Sequence, residues 1–151
     1  MKKVRLMFRK IIIYFSFSME MKIFILKAIV LSACIKFTLK FLPFSMILKM
    51  LGIVHKASDI IQDAQSIRIR RDVERAIDIA KRNMPWSSTC YIDSLTCKII
   101  LKQYNIPSTI YFGFKRLADG SICGHAWLRT YGDSISNGLE ENEYSVHSFF
   151  T

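Results

Sequence analysis

Residues 85–107 read Pro85-Trp86-Ser87-Ser88-Thr89-Cys90-Tyr91-Ile92-Asp93-Ser94-Leu95-Thr96-Cys97-Lys98-Ile99-Ile100-Leu101-Lys102-Gln103-Tyr104-Asn105-Ile106-Pro107. Pro85 closes whatever precedes it, because proline cannot continue a helix. Ile92, Leu95, Thr96 and Ile99 then recur at helical spacing, and Ser88 or Thr89 is a natural N-cap. Cys90 therefore falls in the first turn of a helix, and Asn105 to Pro107 stops that helix. Upstream, Val73, Ala76, Ile77 and Ala80 predict a helix over 72–83, with Lys81 and Arg82 in the last turn complementing its dipole. Downstream, the period changes to two. Ile110, Phe112 and Phe114 alternate with Tyr111 and Gly113 in a strand ending at Lys115-Arg116. Asp119-Gly120 supplies a turn, residues 122–130 a second strand, Gly132 another turn, and residues 134–138 a third strand. Helices first and an antiparallel meander after them make an α+β protein.

The first half differs in character. Residues 1–60 carry eleven Lys and Arg against Glu20 and Asp59, whereas residues 61–151 are nearly neutral. With 51% apolar and 23% charged residues in a chain of 151, wholesale disorder is excluded. Residues 1–60 form a basic, apolar, helical segment, and residues 61–151 form the core domain. Phe24, Ala28, Leu31 and Ile35 predict a helix over 22–42, ended by Pro43, with a second apolar segment over 44–54 and a polar stretch over 55–65. Two readings stay open. One is an amphipathic hairpin packed on the domain or a partner; the other is a helix lying in an anionic membrane surface. Charge-free runs in the first half are short, the longest being residues 11–19, 28–35 and 41–48, and Lys27, Lys36 and Lys40 interrupt the best candidate for a membrane span. The opening residues imitate a signal peptide, since Lys2, Lys3, Arg5, Arg9 and Lys10 precede the apolar run from Ile11, but Ser16-Phe17-Ser18 is a poor cleavage site. Met19 and Met21 are alternative starts, which would leave residues 1–18 as extra or poorly ordered sequence.

Four cysteines and three histidines are the candidates for chemistry. Cys34 sits in an apolar helical run and reads as a small buried hydrophobe, and Cys97, two turns after Cys90, reads as packing. Cys90 is different, because backbone N–H groups and the dipole at a helix start favour a thiolate and can stabilise an oxyanion. Such a nucleophile needs a histidine. His125 is the best partner: Gly124 beside it permits close approach, and Trp127 shares its strand face. His55 and His147 read as bystanders. A three-residue loop, Tyr131-Gly132-Asp133, would pair Thr130 with Ser134 and Trp127 with Asn137, placing Asn137 diagonal to His125 as the group that orients the imidazole. Asp133 competes for that role but reads as a solvated turn former.

Pro85-Trp86-Ser87-Ser88-Thr89-Cys90, the helix running to Lys102-Gln103-Tyr104-Asn105-Ile106-Pro107, the strand over 109–114 and Gly124-His125-Ala126-Trp127 together resemble the transglutaminase-like cysteine peptidase of lasso peptide biosynthesis. The resemblance covers about residues 40–140, including Leu42-Pro43-Phe44. It implies a transglutaminase/papain-like core and no cofactor. It also implies removal of the leader from a ribosomally made precursor, through Cys90 and His125. The family's usual Asp, twelve residues after the His, matches Asn137, a departure that thiol proteases of the papain type share. Tyr91 for Leu and Gly124 for Ala are milder departures. Residues 1–60 contain no strand-rich leader-recognition module, so the resemblance implies the stand-alone enzyme. Its partners would be the precursor leader, a separate leader-binding protein and a lasso cyclase. Its place would be the cytoplasm, with the inner membrane face as the surface the basic half could meet.

Three other readings compete. Cys90, Cys97, Cys123 and His125 could form a Cys3His zinc module, though paired Cys-x2–4-Cys spacing is absent. A non-catalytic membrane-associated interaction protein would use only the basic half. The same site could also transfer an acyl group to an amine instead of water. Nucleic-acid binding is disfavoured, since the basic residues are spread among apolar ones.

Overall fold

The computed structural model describes residues 14–42, 46, 63–136 and 138–151. Pro43, the segment expected over 44–54 apart from Met46, His55 and Asn137 lie outside them. Helix α1 spans Met19–Phe41; Ser18 caps it, its hydroxyl accepting from the Met21 N–H at 3.2 Å. Its inner face buries Met21, Phe24, Ile25, Ala28 and Ile35. Phe24 is completely enclosed, a burial that stabilises by about 2–3 kcal/mol.

Helix α2 spans Ala64–Asn83 and so begins two turns earlier than the sequence reading expects. The Asp63 carboxylate caps it by accepting from the Ser66 N–H, and Ile69 extends the buried stripe of Val73, Ala76, Ile77 and Ala80. The Ser66 bonds hold the Asp63 carboxyl below its ordinary value. Arg68, Arg70 and Arg71 hide this early stripe by alternating with the apolar positions. Arg70 is itself tied down, donating to the Asp133 carboxylate at 2.9 Å.

Helix α3 spans Cys90–Gln103 and is the central element, buried over most of its circumference from Ile92 to Leu101. Such a helix is wrapped by others, as α1, α2 and the sheet wrap this one. Asn105 ends it in the left-handed region, φ 55°, with the Ile106 N–H reaching back to the Leu101 carbonyl at 3.0 Å.

Strands β1 (Thr109–Arg116), β2 (Ile122–Thr130), β3 (Asp133–Ser136) and β4 (Ser145–Phe150) form one sheet in the order β3-β2-β1-β4. The β1–β2 and β2–β3 hairpins are the expected antiparallel meander, so the α+β reading holds. Strand β4 is an addition, pairing with β1 on its free side. A 3-10 turn over Gly138–Glu143 leads into it. Ile110, Leu128 and Phe150 face the helices and join Phe24, Val73 and Leu101 in a single core.

The turn after β2 corrects the sequence reading. It has two residues, Tyr131 (φ 54°) and Gly132 (φ 86°), so Thr130 pairs with Asp133 and not with Ser134. Positive φ at both central residues is the twist that suits a tight hairpin. A bulge between Leu128 and Arg129 then takes up the missing residue, and Leu128 pairs with Ser136. That is the pairing a three-residue loop would have produced from the start.

Candidate active site

Cys90 is the first residue of α3, half-buried, with Thr89 as N-cap, its hydroxyl facing the Ile92 N–H at 3.5 Å. One turn further, the buried Ser94 hydroxyl donates to the Ala126 carbonyl at 3.2 Å. This bond brings the second turn of α3 against Ala126 of β2. At its other end, the Lys98 ammonium donates to the Ser108 carbonyl at 2.8 Å, just before β1 and beside the far end of β2. Helix α3 and strand β2 therefore run the same way, and the Cys90 end of the helix lies toward Gly124.

The loop into Cys90 is clamped by a side chain the sequence reading did not single out. Asp93, almost fully buried, accepts from Lys81 at 2.7 Å and from the Ser88 hydroxyl. One carboxylate thus ties the end of α2, the Ser88 loop and the first turn of α3 together. Lys36 of α1 adds a bond to the Ser87 carbonyl at 3.0 Å. An acid four residues after the N-cap, facing a hydroxyl and a lysine, was the available signal.

His125 stands on the sheet face opposite the helices, among aromatic rings. Tyr144 stacks on it at 4.7 Å and 27°, and Trp127 at 5.9 Å and 19°. Tyr111 continues the plate beside Trp127 at 5.6 Å, and Phe149 follows at 5.4 Å. The cross-strand neighbour of His125 is Gly113, where a Cβ would meet the Ser145 carbonyl at 2.8 Å and the Trp127 ring at 3.0 Å. The glycine is needed because the indole and β4 occupy that space. Tyr144 also brings its hydroxyl to 3.8 Å from the Cys123 thiol, with the Lys115 ammonium over its ring at 4.7 Å. Desolvation first, then the contact with Cys123, raises the Tyr144 phenol above its ordinary value. Tyr144 was invisible to sequence reasoning because it enters from beyond β3.

Other candidates fall elsewhere. Asp133 is not simply a solvated turn former, since it pairs with Arg70 at the edge of the sheet. Glu141 fixes the segment after β3 by a bidentate pair with Arg129, at 2.7 and 3.1 Å, and by accepting from Ser134. Arg129 first, then Ser134, holds the Glu141 carboxyl below its usual range against some desolvation. Cys97 is fully buried, its thiol pushed up by burial and by the nearby Glu74 and Asp93. Cys34 contradicts its reading as a buried hydrophobe: it is exposed, on the side of α1 away from Phe24 and Ile35. His147 lies on β4 near the Phe114 ring. Among the described residues no three His, Cys, Asp or Glu side chains gather as a metal centre requires, so the Cys3His reading finds no site. None of the four cysteines is in a disulfide. A cavity of about 280 Å3 opens at the other end of α3, beside Lys98, Lys102 and Asn105, a helix length from Cys90. Burial, then Lys102, lowers the Lys98 ammonium there to about 8.

An α+β core whose central helix starts at a cysteine and packs that end against a histidine-bearing antiparallel strand defines a class of thiol acyl-transfer folds. The family model of the transglutaminase-like superfamily matches residues 35–150. The chain belongs to that superfamily, which includes cysteine proteases. No curated protein and no solved structure matches it.

Proposed function

We propose that this chain is a cysteine peptidase that removes the leader from a ribosomally made lasso peptide precursor. The chemical part is supported by Cys90 standing at the first position of α3, a helix bonded through Ser94 to Ala126 of the strand that carries His125. The substrate rests on the sequence resemblance and is the finer part of the reading.

In this mechanism Cys90 gives its thiol proton to His125 and its sulfur attacks the scissile carbonyl carbon, while N–H groups at the helix start receive the oxyanion. The C–N bond breaks and His125 gives its proton to the departing amine. Water then attacks the thioester, His125 takes its proton, and the C–S bond breaks to release the leader carboxylate. Tyr144 and Trp127 fix the imidazole plane from the side. Asn137, or another acceptor, would select the tautomer.

The test uses the full chain, a precursor peptide and the separate leader-binding protein, read by mass spectrometry. Cleavage should vanish in Cys90→Ala and survive in Cys97→Ala. Asn137→Ala should lower kcat by about tenfold to a hundredfold, as loss of an orienting partner does, while Asn137→Asp should keep or raise it. Cleavage that survives Cys90→Ala would overturn the mechanism. Equal turnover of leader-bearing and leader-free peptides would overturn the substrate. With an added primary amine, an amide product in place of the acid would reassign the enzyme as a transamidase.

A further inference from the structure

On α1, the face turned away from the core is apolar, where an ordinary surface helix is polar. Met19, Ile23, Leu26, Val30, Phe37 and Phe41 are all exposed, Leu26 at 60% and Phe37 at 67%. Their spacing of three, four or seven residues puts them in one stripe along a helix of 23 residues, roughly 34 Å long at the usual rise. The stripe lies opposite Phe24, Ala28 and Ile35, which face the core. A contiguous exposed apolar strip of this kind marks an interaction surface.

The charges beside the stripe say what kind of surface. On a helical wheel Lys27 borders one side, and Lys22, Lys36 and Lys40 border the other. The only acid in α1 is Glu20, and it is paired with Arg68 at 3.1 Å. A second copy of this chain would bring the same lysines face to face. The chain's own first ten residues, with Lys2, Lys3, Arg5, Arg9 and Lys10, carry the same sign. An anionic, apolar-cored partner is what complements both features. No helix among the described residues is long and apolar enough to cross a membrane.

We propose that α1 lies in the surface of an anionic lipid bilayer, its Leu26–Val30–Phe37 stripe among the acyl chains and its lysines at the phosphates. This stands independently of the peptidase reading. It has one consequence for it: Lys36, on the border of the stripe, holds the Ser87 carbonyl, so the loop into Cys90 sits at the rim of the docked surface.

The test is flotation of the full-length protein with phosphatidylcholine vesicles, with and without about 30% phosphatidylglycerol. Binding should need the anionic lipid and weaken by about tenfold or more as salt rises from about 0.1 to 0.5 M. The triple variant Leu26→Gln, Val30→Gln, Phe37→Gln, altered only at exposed positions, should bind at least about tenfold more weakly with unchanged circular dichroism. Cys34 offers a second readout on the same side of the helix. In a background with Cys90, Cys97 and Cys123 changed to Ser, a polarity-sensitive dye on Cys34 should shift to the blue only when anionic vesicles are added. No flotation with anionic vesicles would overturn the proposal, as would flotation unchanged in the triple variant. A dye already blue-shifted without lipid would also overturn it, and would mean that the stripe is covered by this chain or by a second copy. If the triple variant misfolds, the Cys34 dye alone decides.

Discussion

The Asp93 clamp invites a measurement whose outcome depends on which partner is removed. The carboxylate is 4% exposed and Lys81 is 43% exposed. In Asp93→Asn the remaining charge, on Lys81, is already half in water and can rehydrate, while the amide oxygen can still accept from Ser88. The loss is then that of charge-assisted bonds, about 1–2 kcal/mol. In Lys81→Met the charge left behind is the enclosed carboxylate, with the Ser88 hydroxyl beside it. Breaking a buried pair that way costs about 3–5 kcal/mol, and the wet side of this pair argues for the lower end. For a domain of this size each kcal/mol is worth about 2–4 °C in Tm, so Lys81→Met should melt several degrees below Asp93→Asn. Urea denaturation followed by circular dichroism gives the free energies, and the rate of iodoacetamide labelling at Cys90 reports the loop directly. Both variants should alter that rate, because Ser88 and Asp93 flank the Thr89-Cys90 step. Equal destabilisation, or a larger cost for Asp93→Asn, would refute the asymmetry argument.

Gly113→Ala should destabilise by about 1–3 kcal/mol, measured by thermal melting, since the new methyl meets the Ser145 carbonyl at 2.8 Å and must also displace the Trp127 ring. Tyr144→Ala should lower kcat about tenfold with little change in KM, whereas Tyr144→Phe, which keeps the stacked ring, should restore it; equal losses in both would deny the ring its positioning role. Lys98 has a lowered folded-state value of about 8 against an ordinary 10.5. Between those pH values the unfolded chain binds the extra proton, so stability should rise with pH across that window, and Lys98→Met should flatten the slope in urea titrations.

Much of the fold was legible because its strongest signals are local. Strand β2 begins and ends where alternation and flanking turns place it, and Thr89 caps α3 as its hydroxyl predicts. The early turns of α2 were hidden because arginines alternate with Ile67 and Ile69 there, diluting the stripe. Strand β4 was hidden because Ser145-Val146-His147-Ser148-Phe149-Phe150 shows no clean period, and its register against β1 shifts at Phe112/Gly113. Tyr131 misled the turn reading, since an aromatic residue at φ 54° departs from the Gly or Asn such a position favours. Within the site, Cys90 could be found from helix punctuation alone. Tyr144 could not, because what recommends it is a stacking partner on another strand, and Asp93 left only the weak signal of an acid four residues after the N-cap.

The two faces of the sheet explain why the candidate site sits where it does. Strand alternation turns Ala126 and Leu128 toward the helices and His125 and Trp127 away from them. A thiol at the middle of α3 would therefore meet the wrong side of β2, as buried Cys97 illustrates. Among the described residues, the sheet outruns its helical cover at the start of the helix. There Gly124 has open space where a side chain would stand, and Phe114 and Ile122 are exposed on the helix-facing side. Cys90 opens the helix at that end, and a Cβ at Gly124 would meet no atom within 4 Å. The buried remainder of α3, pinned by Asp93, Ser94 and Lys98, keeps the first turn in place while that edge stays open.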